Sequence, residues 1–164
     1  MQPPMNQRRS ICRSELRADI KGFESAKKES NVALGAIDKV TGCGLMRVFK
    51  TKWFTKAAKS HAIKDSELCK AIEGILQGKV DDLGGGVYKK RLNLNRDRAI
   101  ILAKGGCHWF YTFLYAKQDM ANIDDRELMG FRELAKHYAG LADVTIMALI
   151  QHKELVEICH DCKK

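Results

Sequence analysis

The string YKKRL at residues 88–92 contains side chains that could act on a phosphate group. If this string is a β-strand, Lys89 and Arg91 point to the same face of a sheet, whereas Lys90 points to the other. Arg98 begins the next strand-like pattern. Ammonium and guanidinium groups can stabilise the negative charge that develops when a phosphodiester is cleaved. Composition alone favours a solvated basic surface for these residues, so both interpretations stand at this point.

The positive charge of the chain is concentrated in its middle. The 164 residues carry a net charge of +9, and residues 46–118 hold fifteen Lys and Arg against six Asp and Glu. Residues 119–164 hold six basic residues against nine acidic ones. Concentrated positive charge suggests a polyanionic partner, such as nucleic acid or the ribosome.

A strand and a helical hairpin are predicted before the basic string. The segment MRVFKT, which starts at Met46, alternates apolar and polar residues and predicts a short strand. Phe54 and Ala58 in the next segment have helical spacing, as do Leu68 and Ile72 further on. These two apolar faces predict a pair of helices that pack together.

Three strands and one or two helices are predicted after the hairpin. The stretches LGGGVYKKRLNLN, RDRAIILAKGG and CHWFYTFLYAK predict an antiparallel meander, and the aromatic density of the third places it in the middle of the sheet. Asp124 or Asp125 is expected to cap a helix that runs through Tyr138. A last helix is expected from about Ala142 to Ile158.

The chain divides at a glycine-containing break before Met46. Residues 1–45 show only weak helical spacing. They are interpreted either as a weakly structured N-terminal extension or as upstream sequence included by a start codon assigned too early, and we favour the second. Residues 46–164 are expected to form one α+β domain. In it the hairpin covers one face of the sheet, and the opposite face can remain open to a ligand.

Cysteine usage and the lack of targeting features predict a cytoplasmic protein. The six cysteines do not have the spacing of a secreted disulfide scaffold and are interpreted as thiols. Cys159, His160 and Cys162 suggest part of a zinc site, but a fourth ligand is missing, so we favour a frayed tail without metal and expect no cofactor. No apolar stretch approaches the roughly 20 residues of a membrane span, and no secretory signal is evident.

The order of these elements and three stretches of sequence resemble the RelE/ParE superfamily of toxins from type II toxin–antitoxin systems, particularly its RelE and HigB branches. The stretches are VYKKRLN, DRAIILAKGG and YAKQDMANIDDRELMGFRELAKHYA, and the resemblance runs from Met46 to about Tyr138. It implies a toxin that inhibits translation by cutting messenger RNA in the ribosomal A site without a metal. A cognate antitoxin is expected to hold this toxin inactive in a complex. The alternatives are a ParE-like gyrase inhibitor without nuclease activity and a non-catalytic module that binds RNA or protein.

The resemblance also implies roles for individual basic residues. It places Lys89 and Arg91 where RelE-like members carry two basic catalytic residues. It places Arg98 where they carry a phosphate-binding arginine. Together these three residues are the expected catalytic set. The residues expected to contact RNA are Lys90, Arg96, Lys104, Tyr111, Lys117 and Gln118.

The sequence departs from the family pattern after the last strand of the meander. Lys117 and Gln118 lie where RelE has a Lys-Arg pair, so one phosphate-binding arginine is replaced by glutamine. The tyrosine that the family carries a few residues later is also absent. His108, Tyr111 and Tyr115 on the neighbouring strand are the candidate substitutes.

Overall fold

The computed structural model of the chain describes residues 46–104 and 107–159, except the side chain of Lys104. The expectations for residues 1–45, for His160 and for Cys162 lie outside these residues. In chain order the elements are β1 (Arg47–Thr51), α1 (Lys52–Ser60), α2 (Asp65–Leu76), β2 (Asp81–Asp82), β3 (Val87–Leu92), β4 (Asp97–Lys104), β5 (His108–Ala116), α3 (Asp125–Ala139), α4 (Asp143–Gln151) and β6 (Leu155–Ile158).

The strands form one mixed sheet in the order β2-β3-β4-β5-β1-β6. The expected antiparallel meander of β3, β4 and β5 is confirmed. β1 runs parallel to β5, so the aromatic strand β5 lies between β4 and β1, as its composition predicted. The fold is therefore α+β, with the helical hairpin of α1 and α2 between the first strand and the meander.

The C-terminal end differs from the prediction of one continuous helix. The helix α4 ends at Gln151, and Lys153 adopts a left-handed backbone conformation with φ of +58°. The four residues of β6 then pair antiparallel with β1. This pairing satisfies the backbone groups of β1 that face away from β5, which a longer helix would leave unpaired.

Helices cover both faces of the sheet, so the expectation of one open face is wrong. The hairpin helices pack on one face around Phe54, Leu68 and Ile72. On the other face, α3 and α4 supply Phe131 and Ile146 to a second core. A ligand must therefore bind where these helices leave the strands uncovered.

The starts of α2 and α3 differ in their capping. Asp124 caps α3, and its side chain and that of Glu127 form a reciprocal capping box. The residue before α2 is Lys64, which provides no side-chain cap. Asp65 is the first residue of that helix, and its carboxylate accepts a hydrogen bond of 2.7 Å from Lys50 Nζ.

A bulge in β5 breaks the alternation of its aromatic side chains. Ile100 pairs with Phe113 and Ile101 pairs with Tyr111, so Thr112 is the extra residue. Its hydroxyl donates a hydrogen bond of 3.0 Å to the Ile100 carbonyl. As a result, Tyr111 joins the core under the hairpin, whereas Phe113 packs on the opposite face.

Two of the cysteines that were interpreted as thiols form a disulfide. Cys69 of α2 is bonded to Cys159, which follows β6, with a Cα–Cα distance of 5.6 Å. Cys107 is disulfide-bonded as well. The thiol interpretation is therefore wrong for these three residues. The fold brings Cys69 and Cys159 together although they are 90 positions apart in the sequence. None of the described helices is long and apolar enough to cross a bilayer.

Candidate functional site

The expected catalytic residues lie on one face of the sheet. Arg91 of β3 pairs directly with Arg98 of β4, which in turn pairs with Tyr115 of β5. Side chains of directly paired residues share a face, with Cβ atoms roughly 5 Å apart. Lys89 precedes Arg91 by two residues and pairs with Ile100, so it lies on the same face, one step along the strands. The structure therefore brings Lys89, Arg91 and Arg98 together.

Lys89 is held at the site by two neighbouring segments. Its Nζ donates a hydrogen bond of 3.1 Å to Asn122 Oδ1 in the segment before α3. The same atom lies 3.6 Å from Asp81 Oδ2 of β2. The Asp81 side chain is 51% exposed, so this ion pair contributes little energy and leaves the ammonium available to another anion.

Arg98 is buried and bonded to backbone carbonyls. Its Nη1 donates to the carbonyls of Asn95 and Asp97 at 3.0 and 3.1 Å. Neither Arg98 nor the exposed Arg91 forms an ion pair with a carboxylate within the described residues. Two guanidinium groups on directly paired residues repel each other. An anion between them would remove this repulsion, so the pair is suited to bind a phosphate.

Tyr115 extends the row of Arg91 and Arg98 onto the next strand. Its hydroxyl is buried and has no hydrogen-bond partner among the residues that the structure describes. Burial raises the pKa of Tyr115, the positive charge of Arg98 opposes this rise, and Glu127 adds to it. The phenol therefore keeps its proton and is a hydrogen-bond donor. Buried polar groups are nearly always paired, so this hydroxyl calls for an explanation.

The other two candidate substitutes for the family tyrosine lie elsewhere. Tyr111 is fully buried on the opposite face because of the bulge in β5, and its hydroxyl donates a hydrogen bond of 2.7 Å to the Leu68 carbonyl. The expected contact of Tyr111 with RNA is therefore wrong. His108 begins β5, far along the strand from Tyr115, and its ring stacks on Phe49 with centroids 6.0 Å apart.

Lys90 lies on the other face of β3, as the alternation predicted. Its Nζ donates a hydrogen bond to the Lys79 carbonyl. Burial and the positive charge of Lys79 lower the pKa of Lys90. A groove of 420 Å³ lies between residues 78–81 and β3. It is lined by Lys79, Asp81, Lys89, Lys90 and Arg91 among others. Lys90 thus lines the same groove as Lys89 and Arg91, although it lies on the opposite face of β3.

The remaining predicted RNA contacts gather at a different place. Arg96, Lys117 and Gln118 line a pocket of 670 Å³ at the end of the sheet. Two residues that sequence reasoning missed, His61 and Asp97, line the same pocket. The only sequence signal was an acidic residue at the start of a strand in a basic stretch. The side chain of Lys104 lies outside the described residues, so its expected contact with RNA stays a prediction.

The buried carboxylate of Asp97 organises this pocket. Its Oδ1 lies 2.9 Å from His61 Nδ1, and its Oδ2 accepts a hydrogen bond of 2.7 Å from Asn93 Nδ2. These contacts join the turn between α1 and α2 to the turn between β3 and β4. The Asp97 carboxylate interacts with His61 and Asn93 and not with the Arg98 side chain, because consecutive residues of a strand point to opposite faces.

The comparisons with known proteins agree with the fold. A family model described as "RelE toxin of RelE / RelB toxin-antitoxin system" matches residues 46–158, which include every described strand and helix. The search of the curated proteins and that of the solved structures each gave no match. The family match covers more than half of the 164 residues. The chain therefore belongs to the RelE toxin family, whose members are toxins of toxin–antitoxin systems and act with an antitoxin partner.

Proposed function

We propose that this toxin inhibits translation by cleaving messenger RNA on the sheet face that carries Lys89, Arg91 and Arg98. The observation that supports it best is the direct pairing of Arg91 with Arg98, without a carboxylate between them in the described part of the chain. An RNA phosphodiester supplies the negative charge that this arrangement lacks. As in the family, the messenger RNA would be presented in the ribosomal A site, in the cytoplasm.

The reaction follows from what each group can do. The 2′-hydroxyl of the substrate loses its proton to water, its oxygen attacks phosphorus, and the bond from phosphorus to the 5′-oxygen breaks as that oxygen takes up a proton. The products are a 2′,3′-cyclic phosphate and a free 5′-hydroxyl. Arg91 and Arg98 stabilise the negative charge on the phosphorane oxygens. Lys89, two residues before Arg91 on the same face, would donate a proton to the leaving 5′-oxygen.

Tyr115 takes the place of the tyrosine that the family carries after the last strand. Its hydroxyl stays protonated and lies in the row with the two arginines. A donor at this position can form a hydrogen bond to a phosphate oxygen, and this bond strengthens as negative charge builds up on that oxygen in the transition state. The row of Arg91, Arg98 and Tyr115 then surrounds the phosphate from three strands.

The antitoxin would inhibit the toxin by covering this basic face with an acidic segment. Binding of this kind excludes RNA by occupying the same cationic surface.

We take residues 46–164 as the toxin domain, with residues 1–45 as an extension or as sequence upstream of the true start. Mass spectrometry of the natural N-terminus distinguishes these two cases.

The test compares two double variants that remove the same charge. Lys89→Ala with Arg91→Ala should abolish growth arrest in induced bacteria and remove the new RNA ends seen with the unmodified toxin. Lys56→Ala with Lys59→Ala, on the exposed side of α1, should leave both unchanged. Both proteins must show the same circular dichroism spectrum. Continued toxicity of the folded first variant would contradict the assignment. An SOS response with intact messages would favour the gyrase inhibitor instead.

A further inference from the structure

The pocket at the end of the sheet is a built polar site next to the proposed cleavage face. It lies between the turn after α1, the turn between β3 and β4, and the residues that follow β5. Its volume of 670 Å³ falls in the range of small-ligand sites, which is roughly 300 to 1,000 Å³. This space is sufficient for one nucleotide.

The geometry of His61 leaves one ring nitrogen available for a ligand. Asp97 is only 3% exposed and engages His61 Nδ1, which fixes the orientation of the ring. The His61 side chain is 29% exposed, and within the described residues Nε2 has no partner. A histidine that only linked the two turns would not need to expose its Nε2 atom to an open pocket.

The other lining groups complement a nucleotide. Arg96 and Lys117 are exposed cations that can bind a phosphate, and their backbones are joined by the hydrogen bond of 2.9 Å from Lys117 N to the Arg96 carbonyl. Gln118 and Asp119 add an amide and a carboxylate. Donors and acceptors of this kind can recognise the polar edge of a base, whereas cations alone would recognise only charge.

The pocket is connected to the proposed cleavage face through one residue. Asn95 lines the pocket, and its carbonyl accepts the hydrogen bond from Arg98 Nη1. Asp97 and Arg98 are consecutive and point to opposite faces, so the end of β4 contributes to both places. A single RNA strand whose phosphate lies between Arg91 and Arg98 can continue around this end of the sheet.

We propose that this pocket binds a nucleotide next to the cleaved phosphodiester on the same RNA strand, and that His61 determines specificity by a hydrogen bond between Nε2 and its base. This inference rests on the proposed function, because it assumes that RNA is the substrate. It assigns Arg96, Lys117 and Gln118 to base and phosphate recognition outside the cleavage step. The pocket is therefore expected to affect which RNA is bound and not the chemistry at phosphorus.

The experiment uses the full chain and an RNA that cannot be cleaved. A hexaribonucleotide with 2′-O-methyl groups at every ribose is titrated into the ¹³C-labelled protein, and the ring signals of the five histidines are followed by NMR. The His61 signal is assigned by its absence in His61→Asn. We expect it to shift in a saturable manner with the RNA and to stay in place with hexaglutamate.

The same variant provides a second, independent readout. An asparagine at position 61 can still donate a hydrogen bond to Asp97, so His61→Asn removes the Nε2 edge and keeps the link between the turns. We expect its affinity for the hexanucleotide to fall about fivefold, the effect of one hydrogen bond. In cleavage assays, it should lose base preference at one position beside the cut and keep its turnover on saturating RNA.

The outcomes separate the inference from the proposed function. No shift of the His61 signal with RNA, or an equal shift with hexaglutamate, would overturn the inference and indicate in the second case a site for an acidic protein segment. Neither result depends on whether the chain cleaves RNA. Loss of toxicity in the Lys89 and Arg91 double variant tests cleavage without reference to the pocket, so either idea can fail while the other stands.

Discussion

The two tyrosines of β5 allow one substitution to be compared in two environments. Tyr111→Phe and Tyr115→Phe each remove a single buried hydroxyl from the same strand. The Tyr111 hydroxyl has a partner, the Leu68 carbonyl at 2.7 Å, and the Tyr115 hydroxyl has none within the described residues. The same change is therefore expected to have opposite consequences for stability and for activity.

The expected magnitudes follow from the hydrogen bonds. Tyr111→Phe loses a buried hydrogen bond, so the free energy of unfolding should fall by about 1 kcal/mol and Tm by about 4 °C. Tyr115→Phe removes a buried hydroxyl whose desolvation is not compensated, so stability should stay the same or rise by up to about 1 kcal/mol. If the Tyr115 hydroxyl binds the phosphorane, cleavage should fall roughly 10- to 100-fold in that variant. Tyr111→Phe should cleave at the normal rate, because this side chain faces the hairpin core.

Two assays measure these effects separately. Urea unfolding followed by circular dichroism gives the free energies, and end-labelled RNA with purified ribosomes gives the cleavage rates. A Tyr115→Phe protein that is destabilised and fully active would refute the assignment of this hydroxyl to the site. A Tyr111→Phe protein that is stable but inactive would refute the orientation of β5 given by the bulge at Thr112.

Two further predictions concern the stability of the fold. The disulfide between Cys69 and Cys159 spans 90 residues, for which loop entropy gives about 4.6 kcal/mol, so replacing both cysteines by alanine should lower the free energy of unfolding by about 2 to 4 kcal/mol. Urea unfolding checks this value, and an unchanged midpoint would contradict it. Asp124→Ala removes one half of the capping box at the start of α3 and should cost about 1 kcal/mol. A thermal melt measures this cost, for which Asp125→Ala, one residue into the helix, is the control.

The sequence was sufficient for the elements whose apolar pattern is regular. The hairpin, the meander and a cap at Asp124 or Asp125 follow from periodicity and from a local signal. These elements are confirmed, with Asp124 as the cap. The strand β6 was missed because Leu155–Ile158 directly follows a helical pattern, and only pairing with β1 selects the extended form. Tertiary contacts determine the secondary structure of such short segments, and local propensity is not sufficient to predict it.

The candidate site could be predicted wherever side chains alternate regularly between the two faces of a strand. Lys89, Arg91 and Arg98 share a face because β3 and β4 pair without an irregularity through these residues. In β5 the bulge places Tyr111 on the face opposite to Phe113 and Tyr115, and nothing in the sequence marks the bulge. The contact of His61 with Asp97 was also hidden, since it joins residues 36 positions apart across two turns.

The position of β6 has a consequence for how this protein can be shortened or fused. β1 is an interior strand only because Leu155–Ile158 occupies its outer side. A version truncated after α4 would present a row of unpaired amides and carbonyls, which is a template for addition of a strand from another molecule. Such a product should aggregate or exchange strands, so purification tags and reporter proteins belong beyond Cys159 and not at the end of the last helix.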